Sequence, residues 1–193
     1  MQICVYGASS AVLEDKYLEA GLRLGRAMGR RGHSLVFGGG DTGLMGAVAR
    51  GVKAEGGRVT GVAPSFFRVD GVLYQDCDEM IHTNTMRERK QIMEELSDGF
   101  IMAPGGIGTM EEFMEILTLR QLGLHEKPIG VLNTCGFFDP LAEVMRRFEQ
   151  EHFLKATVMD LYQVFEDPEP LLDALEHPTV GSTYVGDYKP IKL

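Results

Sequence analysis

Short apolar or β-branched runs alternate along this chain with longer stretches in which apolar residues recur at helical spacing, and turns bearing glycine or proline separate them. The short runs predict strands at residues 2–6, 33–37, 58–62, 79–82, 99–102, 128–132 and 161–165. Their almost uninterrupted apolar character suits a parallel sheet covered on both faces. The longer stretches predict helices at residues 13–31, 43–55, 85–96, 109–122, 138–149 and 167–176. In the first of these Tyr17, Leu18, Leu22, Leu24 and Met28 form an apolar stripe set among charges. Strands and helices in regular alternation, joined by right-handed crossovers, predict an α/β, doubly wound, Rossmann-like fold with a mainly parallel sheet of about seven strands flanked by helices. No linker or internal repeat interrupts the pattern, so residues 1–193 read as one domain with an irregular tail from about residue 177.

Composition narrows this picture. The length of 193 residues and a hydrophobic content of 44% can supply one sizeable core. The 24 glycines cluster at the ends of apolar runs, which gives them a positional meaning. The first ten residues lack the basic start and long apolar stretch of a signal peptide, and no apolar run approaches the roughly 20 residues that span a bilayer, so the chain reads as cytoplasmic with no membrane partner. Cys4, Cys77 and Cys135 are widely separated and odd in number, against a disulfide framework or a zinc site. The histidines His33, His82, His125, His152 and His177 show no ligand spacing, and no metal is expected. A formal net charge of −9 disfavours nucleic acid as a partner, so any site for an anion must concentrate positive charge locally.

In a doubly wound sheet, ligands bind at the carboxyl ends of the strands where the connections reverse direction. Three small-residue loops fall at such ends: Gly7-Ala8-Ser9-Ser10, Gly38-Gly39-Gly40-Asp41-Thr42-Gly43 and Pro104-Gly105-Gly106-Ile107-Gly108-Thr109. The last joins a strand to a helix. Its glycines Gly105, Gly106 and Gly108 let backbone N–H groups approach a phosphate, the helix N-terminus adds about half a positive charge, and Thr109 offers a hydroxyl. A tight turn with Thr109 as the helix cap is the plainer alternative, though it needs only one glycine. The Gly38 loop formally matches GxGxxG, but the next strand ends Val62-Ala63-Pro64 without the acidic residue that would hold a dinucleotide ribose. No Walker lysine follows any of the loops. Ser9 and Ser10 can equally donate to a ligand or cap the following helix.

Two clusters of charge accompany these loops. Met86-Arg87-Glu88-Arg89-Lys90 places three cations at a helix start, where the macrodipole opposes them, so an anionic ligand or a facing carboxylate is expected as compensation; a solvated basic face is the alternative. Glu111 and Glu112 follow the phosphate loop. Thr109-x-x-Glu112 matches a capping box, which would give Glu112 a structural task, but a carboxylate one turn into a phosphate-binding helix also lies within reach of a ribose.

These residues resemble the LOG ("lonely guy") family, the cytokinin riboside 5′-monophosphate phosphoribohydrolases once labelled lysine decarboxylase-like. The family's PGGxGTxxE motif stands complete as Pro104 to Glu112, its Arg-Lys motif lies within Met86 to Lys90, and its GGGxxGLMGxVA element stands as Gly38 to Ala49. The first loop departs from the pattern, with Gly7-Ala8 where many members have Cys-Gly. The resemblance implies hydrolysis of the N-glycosidic bond of a purine riboside 5′-monophosphate, with Arg89 and Glu112 as the catalytic pair. It places the 5′-phosphate on the loop of Gly105, Gly106, Gly108 and Thr109; Ser9 is expected as a further donor to that phosphate, and the base and ribose are expected near Gly39, Gly40, Met86 and Lys90. It further implies a homodimer with the site near the subunit interface, and no cofactor. A carrier that binds a nucleotide or phosphorylated cofactor without cleaving it would use the same loops. A decarboxylase would need a lysine for pyridoxal phosphate, and no lysine here sits in a context that indicates one.

Overall fold

The computed structural model describes residues 1–69 and 71–178; the portion of the expected tail at 179–193 lies outside the described residues. Seven strands form one sheet in the order β4-β3-β2-β1-β5-β6-β7, every neighbouring pair parallel. They are β1 (Gln2–Tyr6), β2 (Ser34–Phe37), β3 (Val59–Pro64), β4 (Glu79–Thr83), β5 (Gly99–Met102), β6 (Ile129–Leu132) and β7 (Gln163–Phe165). The helices are α1 (Asp15–Arg30), α2 (Gly43–Ala54), α3 (Met86–Leu96), α4 (Ile107–Gln121), α5 (Asp139–Gln150) and α6 (Pro168–Glu176). The chain winds outward from β1 to β4, returns to β5 on the other side of β1, and continues to β7. The connections therefore reverse between β1 and β5, which is the place where such sheets bind ligands.

Strand residues alternate between two cores, one on each face of the sheet. Ile3, Val5, Leu35, Phe37 and Ile101 pack with Leu24 and Met28 of α1, Leu44 and Val48 of α2, and Leu171 of α6. Cys4, Tyr6, Val36, Phe100 and Met102 pack with Met93 of α3, Phe113 and Ile116 of α4, and Met145 of α5. Double coverage is why the central strands read as unbroken apolar runs rather than as alternating ones.

Of the stripe expected on α1, Leu24 and Met28 are buried and Tyr17 packs against the core, while the rest of the buried face consists of the small residues Ala20, Gly21, Gly25 and Ala27. The reason is a close crossing with α2: a Cβ on Gly25 would lie 2.1 Å from the Val48 carbonyl oxygen and 2.9 Å from the Gly51 Cα. Small residues set that interface, so Leu18 and Leu22 are displaced to its half-buried flank. Three short 3-10 segments, Ser65–Phe67, Thr134–Gly136 and Ala156–Leu161, were not expected from periodicity, which short single turns do not generate.

Candidate active site

The three small-residue loops converge at the carboxyl ends of β1, β2 and β5, and backbone hydrogen bonds stitch them together. Ala8 N donates to the Pro104 oxygen at 3.0 Å, while the Ala8 oxygen accepts from Met45 N at 3.1 Å. The Thr42 hydroxyl donates to the Ser9 oxygen at 2.6 Å. The loop after β3 is tied to the same place by an antiparallel bridge between Gly40 and Leu73 and by Asp41 N donating to the Val72 oxygen at 3.0 Å. Between these elements lies a cleft of about 570 Å³. That volume is within the range of small-ligand sites.

One wall of the cleft is the N-terminus of a helix, an end that favours anions. Helix α4 starts at Ile107 with Gly106 as its cap, and its first backbone bond runs from Met110 N to the Gly106 oxygen at 3.0 Å. The N–H groups of Ile107, Gly108 and Thr109 precede any intrahelical acceptor and point out of the helix end. Gly106 and Gly108 both line the cleft, and a Cβ on either would meet no protein atom within 4 Å. Neither has a positive φ, so packing and backbone conformation leave their lack of a side chain unexplained; space for a ligand against the helix end explains it. Gly105 is different. A Cβ there would fall 2.1 Å from Thr109 Oγ1 and 3.0 Å from Ala8 N, and the residue does not line the cleft, so close packing accounts for its lack of a side chain.

Thr109, 4% exposed, is the third helical residue rather than the cap. The capping-box alternative for Thr109 and Glu112 is therefore corrected: the helix begins two residues earlier than its periodicity suggested, and Thr109 Oγ1 has no hydrogen-bond partner among the described residues. The serine-cap alternative falls for a similar reason, since α1 begins at Asp15 with Glu14 as its cap. Ser9 and Ser10 both line the cleft instead.

At the floor of the cleft Arg89 meets Glu112. Arg89 Nη1 donates to Glu112 Oε1 at 2.6 Å, and Arg89 Nε donates to the Val62 oxygen at 3.1 Å. The two residues are only 6% and 8% exposed. Gly38 makes room for the guanidinium, because a Cβ at that position would lie 2.1 Å from Arg89 Nη2. Burial pushes the Glu112 carboxyl above its ordinary range, and the Arg89 charge offsets only part of that rise. Glu112 Oε2 has no protein donor among the described residues and is free to meet a ligand. The compensation expected for the cations of α3 is thus found in carboxylates of α4, because Lys90 also pairs with Glu111 and with Glu115.

Of the candidates for base and ribose, Gly40 and Met86 line the cleft, whereas Gly39 and Lys90 do not. Gly39 has a φ of +77° and faces Met80 of β4, so it serves the turn. Lys90 is turned toward α4 by its two carboxylate partners. Sequence reasoning missed Phe67, Gly71, Val72 and Leu73, which add an apolar lining to the cleft. A signal was present in Phe66, Phe67, Val69 and Val72, which stand exposed in a connection where polar residues are usual.

A family model described as "Possible lysine decarboxylase" matches residues 45–175. The probable cytokinin riboside 5′-monophosphate phosphoribohydrolase LOGL1 of Oryza sativa subsp. japonica is 38% identical over 178 residues, covering 92% of this chain and 80% of that protein. The cytokinin riboside 5′-monophosphate phosphoribohydrolase of Mycobacterium tuberculosis is 38% identical over 172 residues, covering 89% and 91%. The chain belongs to the LOG family. Among solved structures, the molybdenum cofactor binding protein of Rippkaea orientalis shares the fold with a TM-score of 0.69 at 19% identity, covering 91% of this chain and 95% of that one. The molybdenum cofactor carrier protein of Chlamydomonas reinhardtii does so with a TM-score of 0.67 at 24% identity, covering 90% and 94%. The decarboxylase wording of the family model finds no counterpart in the site, since no lysine lines the cleft among the described residues.

Proposed function

We propose that this LOG-family chain is a single nucleotide-binding domain that hydrolyses the N-glycosidic bond of a purine riboside 5′-monophosphate, of adenosine or cytokinin type, to the free base and ribose 5-phosphate. The observation that carries this reading is the buried Arg89–Glu112 pair at the floor of the same cleft whose wall is the glycine cradle of α4. A carrier needs the cradle alone. Cleavage needs a carboxylate as well, positioned where positive charge develops.

In the reaction the bond between ribose C1′ and the base nitrogen breaks, and its electron pair leaves with the base. Oxocarbenium character builds on the sugar, a water oxygen bonds to C1′, and one water proton is released. Glu112 as carboxylate stabilises the cationic sugar and orients that water. Arg89 is too weak an acid to serve as a ready proton donor, so its part is to hold the ribose or the leaving base by hydrogen bonds while the base takes its proton from solvent. The phosphate, held by the N–H groups of Gly108 and its neighbours with the hydroxyls of Thr109 and Ser9, supplies binding energy remote from the bond that breaks. Met45, Phe67, Val72, Leu73 and Met86 offer the apolar side on which a purine can lie.

Among the described residues no helix is long and apolar enough to cross a membrane, which fits a cytoplasmic enzyme. A homodimer is supported by the apolar side chains left in solvent at the two ends of α4, with Ile107 91% exposed beside the cradle and Leu124 68% exposed past the other end. The test is release of ribose 5-phosphate from AMP and from isopentenyladenosine 5′-monophosphate, with adenosine as the comparison. Release from the monophosphates with little from adenosine is expected. Comparable turnover of adenosine would remove the role given to the phosphate cradle, and recovery of intact nucleotide after long incubation would make the chain a binder.

A further inference from the structure

Lys90 stands next to the catalytic arginine yet faces away from the cleft. It lies on α3, its side chain 14% exposed, and its ammonium group is clasped between Glu111 and Glu115 of α4, with Glu115 Oε2 at 2.7 Å. Consecutive residues of α3 thus pair with neighbouring residues of α4: Arg89 with Glu112, and Lys90 with Glu111 and Glu115. Side chains of adjacent helical residues point about 100° apart, so the two links grip α4 from different directions and admit one relative placement of the helices. Helix α3 packs on β3 and β4 and shares one apolar cluster with α4, through Met93 on α3 and Phe113 and Ile116 on α4. To that non-directional packing the ion pairs add a directional tie between the element that carries Arg89 and the element that carries Glu112.

The geometry points to Lys90 as a positioning residue, one that holds α3 against α4 so that the Arg89 guanidinium and the Glu112 carboxylate meet at the cleft floor, and not as a ligand of the ribose or base. This deepens the phosphoribohydrolase reading and rests on it. Burial alone would draw the Lys90 ammonium toward neutrality, but its hydrogen bonds to Glu111 and Glu115 outweigh that and raise its pKa, so the ammonium stays charged across the neutral range. Glu111 and Glu115 do not line the cleft. Glu111 and Lys90 also act on the Glu112 carboxyl directly through space, in opposite directions, so the loss of both charges together separates placement of the helices from that field.

The test compares steady-state hydrolysis of AMP by the unaltered protein, Lys90→Met, Lys90→Arg, the pair Glu111→Gln with Glu115→Gln, and all three neutral changes combined. A displaced catalytic group of this kind costs about 10- to 100-fold in rate. Lys90→Met is expected to lose kcat on that scale with the KM for AMP nearly unchanged. Lys90→Arg restores most of the rate. The glutamine pair loses kcat to a similar degree, and the combined variant loses no more than Lys90→Met alone. A raised KM with kcat retained in Lys90→Met would make Lys90 a substrate ligand, and an unchanged kcat would leave the clasp without a role; either overturns the proposal. A second readout does not depend on turnover: the carboxyl carbon of Glu112, followed by NMR through a pH titration, should titrate differently from the unaltered protein in the combined variant, where the opposing direct effects of Lys90 and Glu111 on Glu112 are removed together and the disturbed pairing with Arg89 remains. An identical titration overturns the positioning role. If the unaltered protein fails to cleave AMP while this titration moves as expected, the phosphoribohydrolase reading falls and the clasp stands.

Discussion

Replacing Gly108 by alanine should make the protein more stable and less able to bind its substrate. Gly108 is the second residue of α4, its φ is not positive, and an added Cβ meets no protein atom within 4 Å. Alanine in a helix is favoured over glycine by up to about 1 kcal/mol, so a gain of about 0.5–1 kcal/mol is expected, or about 1–4 °C in Tm for a chain of this size. The same methyl group would stand in the space before the free N–H groups of α4. Loss of one charge-assisted hydrogen bond to phosphate corresponds to about 1.5–3 kcal/mol, or about 10- to 100-fold in the KM for AMP. Thermal melting of the ligand-free protein and steady-state hydrolysis of AMP read the two effects separately. Gly105→Ala supplies the contrast, because its Cβ would lie 2.1 Å from Thr109 Oγ1, and it should destabilise by about 1–3 kcal/mol. A Gly108→Ala protein with an unchanged KM for AMP would refute the reasoning, since the open space would then not be where the phosphate sits.

Two further outcomes follow from the charge pair. Arg89→Met leaves the Glu112 carboxylate buried without its partner and should cost about 3–5 kcal/mol in denaturant melts at pH 8, with part regained when Glu112→Gln is added. The pH profile of kcat/KM should fall on the acid side with a midpoint above the ordinary glutamate value of 4.5, because burial raises the Glu112 pKa and the reaction needs the carboxylate. The same raised value acts on stability in the opposite sense, favouring the folded state below the unfolded pKa and withdrawing that contribution as the pH climbs through the folded one.

Elements governed by long periodic patterns were legible in the sequence: all seven strands and all six helices were anticipated, with ends within two residues. Ends decided by local hydrogen bonding were harder to place. Helix α4 begins at Ile107 because Gly106 adopts an extended conformation there, while the threonine two positions on has the stronger capping preference. In the site, charge placement alone marked the basic start of α3 and the Glu111-Glu112 pair, and the resemblance to the LOG family motifs singled out Arg89 and Glu112 among them. Gly39, Gly105 and Lys90 were grouped with the ligand-facing residues because neighbours in a motif cannot be assigned to different sides of a turn or helix without coordinates. The apolar side formed by Phe67, Val72 and Leu73 reaches the cleft through tertiary contacts with the Gly38 loop, which no local pattern encodes.

The most direct measurement is ribose 5-phosphate release from AMP by Glu112→Gln protein whose fold has been verified by its melting transition. The amide keeps an oxygen that can accept from Arg89 and removes only the negative charge. Loss of a group that stabilises developing charge in the transition state is worth about 10²- to 10³-fold in kcat, and a fall on that scale is predicted. Release at the rate of the unaltered protein would show that the buried carboxylate has no part in breaking the bond.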